Sequence, residues 1–329
     1  MKKHILLVIV ALMLLVCLSA CAEAPSSGTG EDALQIVATI FPEYDWVQNI
    51  LGDDPAHAEV TLLLDNGVDL HSYQPTAEDI LKISACDLFI YVGGESDSWV
   101  EDALQEAANK DMVVINLLDA LGDQAKEEEL VEGMEGEEEE SAEEEEEEEG
   151  PEYDEHVWLS LRNAAALVDI IAEALQSIDA DNAEIYKENA GAYIEKLNAL
   201  DAEYEAAVAD ADTTTLLFGD RFPFRYLVDD YGLSYYAAFV GCSAETEASF
   251  ETVTFLARKV DELSLSAVIT IEGNDHKIAE TIIQNTAAKD QQILTLDSLQ
   301  SVTAEEVQSG ASYLSIMESN LEVLKQALQ

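Results

Sequence analysis

Apolar and polar positions along the chain fall into two periodicities. Short runs rich in β-branched and aromatic residues occur at 34–40, 59–64, 88–92 and 113–117, mostly separated by stretches with apolar residues at helical spacing. A second set follows at 214–218, 234–240, 267–272 and 292–296, again with helical patterns among them. Strands that alternate with helices predict parallel sheets in an α/β fold, and two such sets predict two similar lobes. Between the sets the pattern is helical only. Residues 163–175 carry one apolar stripe; residues 181–209 carry another through Ile185, Tyr193, Leu197, Leu200 and Tyr204, with no proline and a single glycine, Gly191. About 27 helical residues at ~1.5 Å each make a rod of roughly 40 Å. Such a rod either joins two lobes rigidly or packs as a core helix inside one of them. The pattern divides the chain into residues 33–160 as an N-terminal α/β lobe, 161–210 as a helical connector and 211–329 as a C-terminal α/β lobe.

The N-terminus departs from this pattern. Lys2 and Lys3 precede an almost unbroken apolar run over residues 5–18, too short for a comfortable membrane span. Leu18, Ser19 and Ala20 then lead into Cys21, the arrangement of a bacterial lipobox in which the cysteine takes a lipid and becomes the first mature residue. Residues 1–20 are therefore expected to be a signal peptide. Residues 21–32, rich in small residues, are expected to be a tether. The mature protein would be anchored to a membrane through Cys21 rather than span it.

Charge narrows the choice of partner. With 15 Lys+Arg against 69 Asp+Glu the chain carries −54. Too few cationic residues remain for a phosphate-binding face, so nucleic acid is not an expected partner and cations are. Residues 127–149 hold 16 glutamates; removing them still leaves −38. At that density like charges repel, which predicts a solvated acidic loop, either gathering cations or merely solubilising the chain. Carboxylates alone favour hard cations, so selectivity must come from other donors. Beyond Cys17 and Cys21 only Cys86 and Cys242 remain. They lie far apart, no Cys-x-x-Cys spacing occurs, and neither a disulfide nor a thiolate cluster is indicated.

Histidine is the next candidate donor. His4 leaves with the signal, which keeps His57, His71, His156 and His276 in the mature chain. His57 reads as a surface-loop residue. His71 lies in a loop after the second strand, before a helix that Thr76 can cap, and His156 follows the acidic run directly.

Four segments together resemble a known family: residues 38–45, the loop 67–76 with His71, residues 156–159, and residues 224–233. In this order, and behind a lipobox, they resemble the metal-binding lipoproteins of zinc and manganese ABC importers, the extracytoplasmic receptors also known as adhesins. The resemblance implies two α/β lobes joined by a long rigid helix, with one metal ion in the cleft between them. It implies His71 and His156 as ligands from the N-terminal lobe and Glu272 as a carboxylate ligand from the C-terminal lobe, with Asp275 as the alternative. It further implies a permease and an ATPase as partners, a monomeric receptor, and a place on the outer face of the bacterial cytoplasmic membrane.

One position breaks the pattern. Arg221 stands where the family has a histidine or glutamate ligand, and a guanidinium has no lone pair to offer. Either the site works with fewer protein ligands and water, or Asp220, Glu247, Asp275 or His276 substitutes, or the usual ion is no longer bound. Arg221 itself is expected to pair with Glu247 or Glu272. Two imidazoles and a carboxylate suit Zn²⁺, with Mn²⁺ as the alternative ion. Affinity should then fall as pH drops through about 6.5. A surface adhesion protein with a vestigial metal site is the second functional reading. A zinc hydrolase is the third, but no His-Glu-x-x-His, Gly-x-Ser-x-Gly or phosphate-loop motif supports it.

Overall fold

The computed structural model describes residues 33–52, 58–136, 152–243, 247–273 and 275–329. The proposed signal peptide, tether and lipidated Cys21, together with His57 and most of the acidic run, lie outside the described residues. Two four-stranded sheets, parallel throughout, account for the two sets of strand patterns. The first contains β1 (Leu34–Ala38), β2 (Ala58–Leu62), β3 (Leu88–Tyr91) and β4 (Val113–Asn116) in the order β2-β1-β3-β4. The second contains β5 (Thr215–Phe222), β6 (Ser234–Val240), β7 (Ala267–Ile271) and β8 (Gln292–Leu296) in the order β6-β5-β7-β8.

Composition follows position in each sheet. The inner strands β3 and β7 are almost wholly buried and read as continuous apolar runs, as strands covered on both faces must. Edge strands β2 and β8 are only half-buried and admit Glu59, Thr61, Gln292 and Thr295.

Helices follow the strands in the first lobe as α1 (Phe41–Leu51), α2 (Ala77–Ala85), α3 (Val100–Gln105) and α4 (Leu117–Leu121). Thr76 caps α2 in a reciprocal box with Asp79, as its position predicts. The connector consists of two helices, α5 (Leu161–Ile178) and the 27-residue α6 (Ala183–Ala209). In α6, Tyr186, Ala190, Tyr193, Leu197, Leu200 and Tyr204 form one buried stripe spaced by three and four residues. The second lobe adds α7 (Arg225–Tyr231), α8 (Phe250–Leu263), α9 (Lys277–Asn285), α10 (Ala304–Gln308) and α11 (Tyr313–Ala327).

The long helix is both a rod and a core element. In its first half, the Tyr193 hydroxyl donates to Asp45 of α1 at 3.1 Å; in its second, Tyr204 donates to the Met317 carbonyl of α11 at 2.6 Å. Its tyrosines therefore fix it to the first lobe and to the closing helix at once. Hydrophobic packing is correspondingly continuous from the first sheet through α5 and α6 to part of the second. Nothing in a helical stripe states how many partners it serves, so the two expectations for this helix were not in fact alternatives.

The start of the acidic run differs from the solvated loop expected of it. Glu128 N donates to the Glu152 carbonyl at 3.0 Å, Glu135 N donates to the Ala238 carbonyl at 2.9 Å, and Glu135 accepts from Ser249 N at 2.9 Å. Residues 127–136 thus lie against both lobes: Glu127 bridges to Tyr153, Glu135 to Phe239, and Lys259 lies 3.7 Å from Glu132. Backbone pairing and this lysine offset the repulsion that the side chains alone would produce.

Candidate metal centre

Every group at the lobe junction arises at or just beyond the C-terminal end of a strand or in the loop after it. His71 follows β2, Ser96 follows β3, Asp154 to His156 follow the excursion after β4, Arg221 ends β5, Cys242 follows β6 and Glu272 follows β7. Parallel α/β sheets present their binding groups at this edge, because the loops there diverge around a crevice. Here the edges of two sheets supply one site.

His71 sits in the short helical turn Leu70–Ser72. Asp69 caps it, accepting from His71 N at 3.0 Å. Its Nδ1 lies 2.8 Å from Ser96 Oγ and 3.4 Å from Glu155 Oε2, while Ser96 N donates to the other Glu155 oxygen at 2.9 Å. Gly94, with φ of 81°, is required beside this carboxylate, because a side chain there would strike Glu155. Burial pushes the Glu155 carboxyl up to about 7 despite the Ser96 donors.

His156 is fully buried. Its backbone N and its Nδ1 both donate to Asp154 Oδ1, at 2.9 and 3.0 Å. Its ring is held between those of His71 and Trp158, with centroids 5.2 and 5.3 Å away. Trp158 is in turn fixed by its indole N–H on the Ser298 carbonyl at 2.8 Å and by Tyr313, whose hydroxyl donates to the Trp158 carbonyl at 2.6 Å.

These contacts set the tautomers. His156 Nδ1 faces the Asp154 carboxylate, so it carries the proton and Nε2 keeps its lone pair, and the Ser96 hydroxyl and Glu155 beside His71 Nδ1 are able to hold that ring in the same tautomer. The two Nε2 atoms face one another at 3.2 Å. Two nitrogens bound tetrahedrally to zinc at ~2.0–2.1 Å would stand about 3.3 Å apart, so this separation fits a shared ion. Burial, and then the neighbouring His156, lower the His71 pKa to about 3, which leaves its ring neutral. Burial opposes protonation of His156 as well, but Asp154 outweighs it and raises that pKa.

The other sequence candidates go to different places. Arg221 pairs with Asp69 rather than with Glu247 or Glu272. Burial works against the charged Asp69, but the guanidinium holds its carboxyl below the usual carboxylate range. The pairing follows from β5, which runs to Phe222 rather than ending at 218 and shifts register between Phe218 and Arg221. Asp220 accepts from Arg221 N at 2.9 Å and from Ile271 N at 3.1 Å, tying β5 to β7. Glu272 accepts from Ser298 N at 2.8 Å and Ser298 Oγ at 2.6 Å. Burial, then Asp297, push its carboxyl up to about 7. His276 Nδ1 lies 3.0 Å from Thr270 Oγ1, Asp275 pairs with Lys277, and Glu247 is exposed.

Among the described residues one group of three donors could hold an ion: His71, His156 and Cys242, with their donor atoms all within 4.8 Å of one another. In the sequence Cys242 has no neighbouring cysteine to mark it as a donor. The signal that could have found it is the Gly241-Cys242-Ser243 step directly after β6, at the edge where binding groups collect. Gly241 allows it: a Cβ there would lie 2.9 Å from His156 Cε1 and 2.9 Å from the Phe222 carbonyl. Burial, then Glu155 and Glu128, raise the Cys242 thiol well above its ordinary value. Cys86 is a buried free thiol whose Sγ donates to the Ile83 carbonyl at 3.2 Å, the structural role its position suggested.

Fold and site together define a two-lobed α/β binding protein with nitrogen and sulfur donors converging where the lobes meet. Residues 36–327 match the family described as zinc-uptake complex component A, periplasmic, and the chain belongs to that family. It is 33% identical over 326 residues to the high-affinity zinc uptake system protein ZnuA of Bacillus subtilis, covering 98% of this chain and 97% of that one. It is 32% identical over 297 residues to the zinc-binding lipoprotein AdcA of Streptococcus pneumoniae, covering 89% of this chain but 55% of the relative. The chain thus spans about half the length of the AdcA proteins it matches. The crystal structure of the Zn(II)-bound ZnuA-like domain of that AdcA superposes with a TM-score of 0.68 at 30% identity, covering 90% of this chain and 99% of the domain.

Proposed function

We propose that this protein is an extracytoplasmic receptor that captures Zn²⁺ at the lobe junction and delivers it to an ABC importer. The observation that carries this reading is the pair of imidazole Nε2 atoms facing one another 3.2 Å apart, each ring with a hydrogen-bond partner at Nδ1. Membership of a zinc-uptake family supports the same cargo. In this reading His71 and His156 are the fixed ligands, and Glu272 joins them by giving up Ser298. Imidazole donors favour Zn²⁺ over Mn²⁺.

The partners would be a permease and an ATPase, met by a single copy of the receptor. Cys21 would carry the lipid that holds it on the outer face of the bacterial cytoplasmic membrane. Its work would be binding and release rather than turnover, a reading supported by membership of a zinc-uptake family.

Metal analysis of the purified protein tests the proposal. One equivalent of zinc in the wild type, lost in both His71→Ala and His156→Ala, is the expected result. Zinc retained by both variants, or no zinc in the wild type at saturating supply, overturns it.

A further inference from the structure

We propose that Cys242 is a direct ligand of the captured zinc ion, taking the coordination position that Arg221 cannot fill. This rests on the zinc-receptor reading and assigns the ligand that the departure at Arg221 leaves open. Three observations carry it. The Cys242 sulfur joins His71 and His156 in the one three-donor group found among the described residues. The substitutes suggested by the sequence are engaged elsewhere or exposed: Asp220 on backbone N–H groups, His276 beside Thr270, Asp275 on Lys277 and Glu247 at the surface. Finally, the loop carrying Cys242 passes so close to His156 that only glycine fits at 241, so the thiol is delivered to the histidine pair by backbone packing.

A zinc ion bound tetrahedrally by imidazole at ~2.0–2.1 Å and by thiolate at ~2.3 Å needs nitrogen and sulfur about 3.6 Å apart. With the donor atoms all within 4.8 Å of one another, at most about an ångström of movement is needed, within reach of a side-chain adjustment. As the Zn–S bond forms the S–H bond breaks, both electrons of the latter stay on sulfur, and the proton passes to solvent. The Glu128 carboxylate, hydrogen-bonded to the thiol, is an acceptor on its way. The resulting set of two imidazoles and a thiolate, completed by Glu272, is softer than the two-imidazole, one-carboxylate set expected from sequence. It discriminates more strongly against Mn²⁺, which prefers oxygen donors.

Co²⁺ alone, titrated into the purified full chain in detergent, reads the sulfur directly. One equivalent should produce a near-ultraviolet thiolate-to-cobalt charge-transfer band that one equivalent of Zn²⁺ abolishes. Cys242→Ser should lose the band yet still bind Co²⁺, and its Zn²⁺ affinity should fall by more than ~10-fold, the least that even an outer-shell partner of a metal ligand contributes. Cys86→Ser should keep the band. An assay that needs no variant is alkylation of the wild type by N-ethylmaleimide, followed at the Cys242 peptide by mass spectrometry, which stoichiometric Zn²⁺ should suppress. Stoichiometric Co²⁺ without the band, or Cys242 alkylated equally fast with and without Zn²⁺, overturns the cysteine assignment while leaving the zinc receptor intact. A wild-type chain that takes up neither ion overturns both.

Discussion

Asp154 is the group on which the orientation of His156 depends, and Asp154→Asn isolates its charge. One carboxylate oxygen accepts two hydrogen bonds from the same histidine, from the backbone N at 2.9 Å and from Nδ1 at 3.0 Å. Asparagine keeps an oxygen able to accept them but removes the negative charge. A hydrogen bond to a charged acceptor contributes roughly 1.5–3 kcal/mol against about 1 for a neutral one, so about 1–1.5 kcal/mol of orientation and ligand basicity is lost. That difference corresponds to roughly tenfold in zinc affinity. Loss of an outer-shell partner costs 10–100-fold in general, so the expected drop is ~10-fold for Asp154→Asn and nearer ~100-fold for Asp154→Ala, which also frees the ring to turn. Competition against a chromophoric zinc chelator at pH 8 measures this. Circular dichroism and urea unfolding confirm that the variants remain folded. Affinity within twofold of wild type in Asp154→Asn would refute the claim that this carboxylate sets up the ligand.

Further outcomes follow from other contacts. Glu43 is fully buried, with one oxygen on Thr39 N at 2.8 Å and Ile40 N at 3.3 Å; burial and then Asp97 raise its pKa from 4.5 to about 8. The folded chain holds a proton there that the unfolded chain releases, so stability should fall as pH rises from about 4.5 to 8, by at most on the order of 5 kcal/mol from this residue. Urea unfolding at pH 5 and pH 8.5 should show that loss in wild type and a flatter profile in Glu43→Gln; parallel profiles would contradict it. Arg221→Ala should cost about 1–2 kcal/mol of stability by leaving Asp69 without its partner, yet keep zinc affinity within ~10-fold because arginine is no ligand; abolished binding would show that it holds the site together. Tyr204→Phe removes the 2.6 Å hydrogen bond to the Met317 carbonyl, which keeps its helical partner, and should cost about 0.5–1.5 kcal/mol in urea, with zinc stoichiometry unchanged.

Much of the architecture was legible in the chain because its causes are local. Parallel strands covered on both faces must be apolar throughout, so each strand seen in the structure coincides with a run visible in the sequence, differing mainly at the ends. The largest exception is β5, whose extension to Phe222 carries polar Asp220 and charged Arg221. Those residues belong to a strand because its edge is a binding surface, and hydrophobicity ends where that surface begins. The opening of the acidic run is a second exception. Its backbone pairs with Ala238 and Glu152, residues far from it in sequence, and no local pattern encodes that pairing.

The candidate site divides in the same way. His71 and His156 could be singled out because the loop 67–76 and residues 156–159 resemble the ligand-bearing segments of the metal-binding lipoproteins. Which nitrogen of each ring faces the other depended on Ser96, Glu155 and Asp154, and so on the packing of three loops.

By itself the sequence determined two α/β lobes, a long helix between them and a strong preference for cations. These follow from local periodicity and net charge, which need no knowledge of distant contacts, whereas His71 and His156 were singled out by the resemblance of their segments to the metal-binding lipoproteins. Only the tertiary structure decided that Arg221 turns to Asp69, that Glu272 rests on Ser298 and that Cys242 lies with the histidines. These are contacts between residues 26 to 171 positions apart, set where the edges of two separate sheets come together.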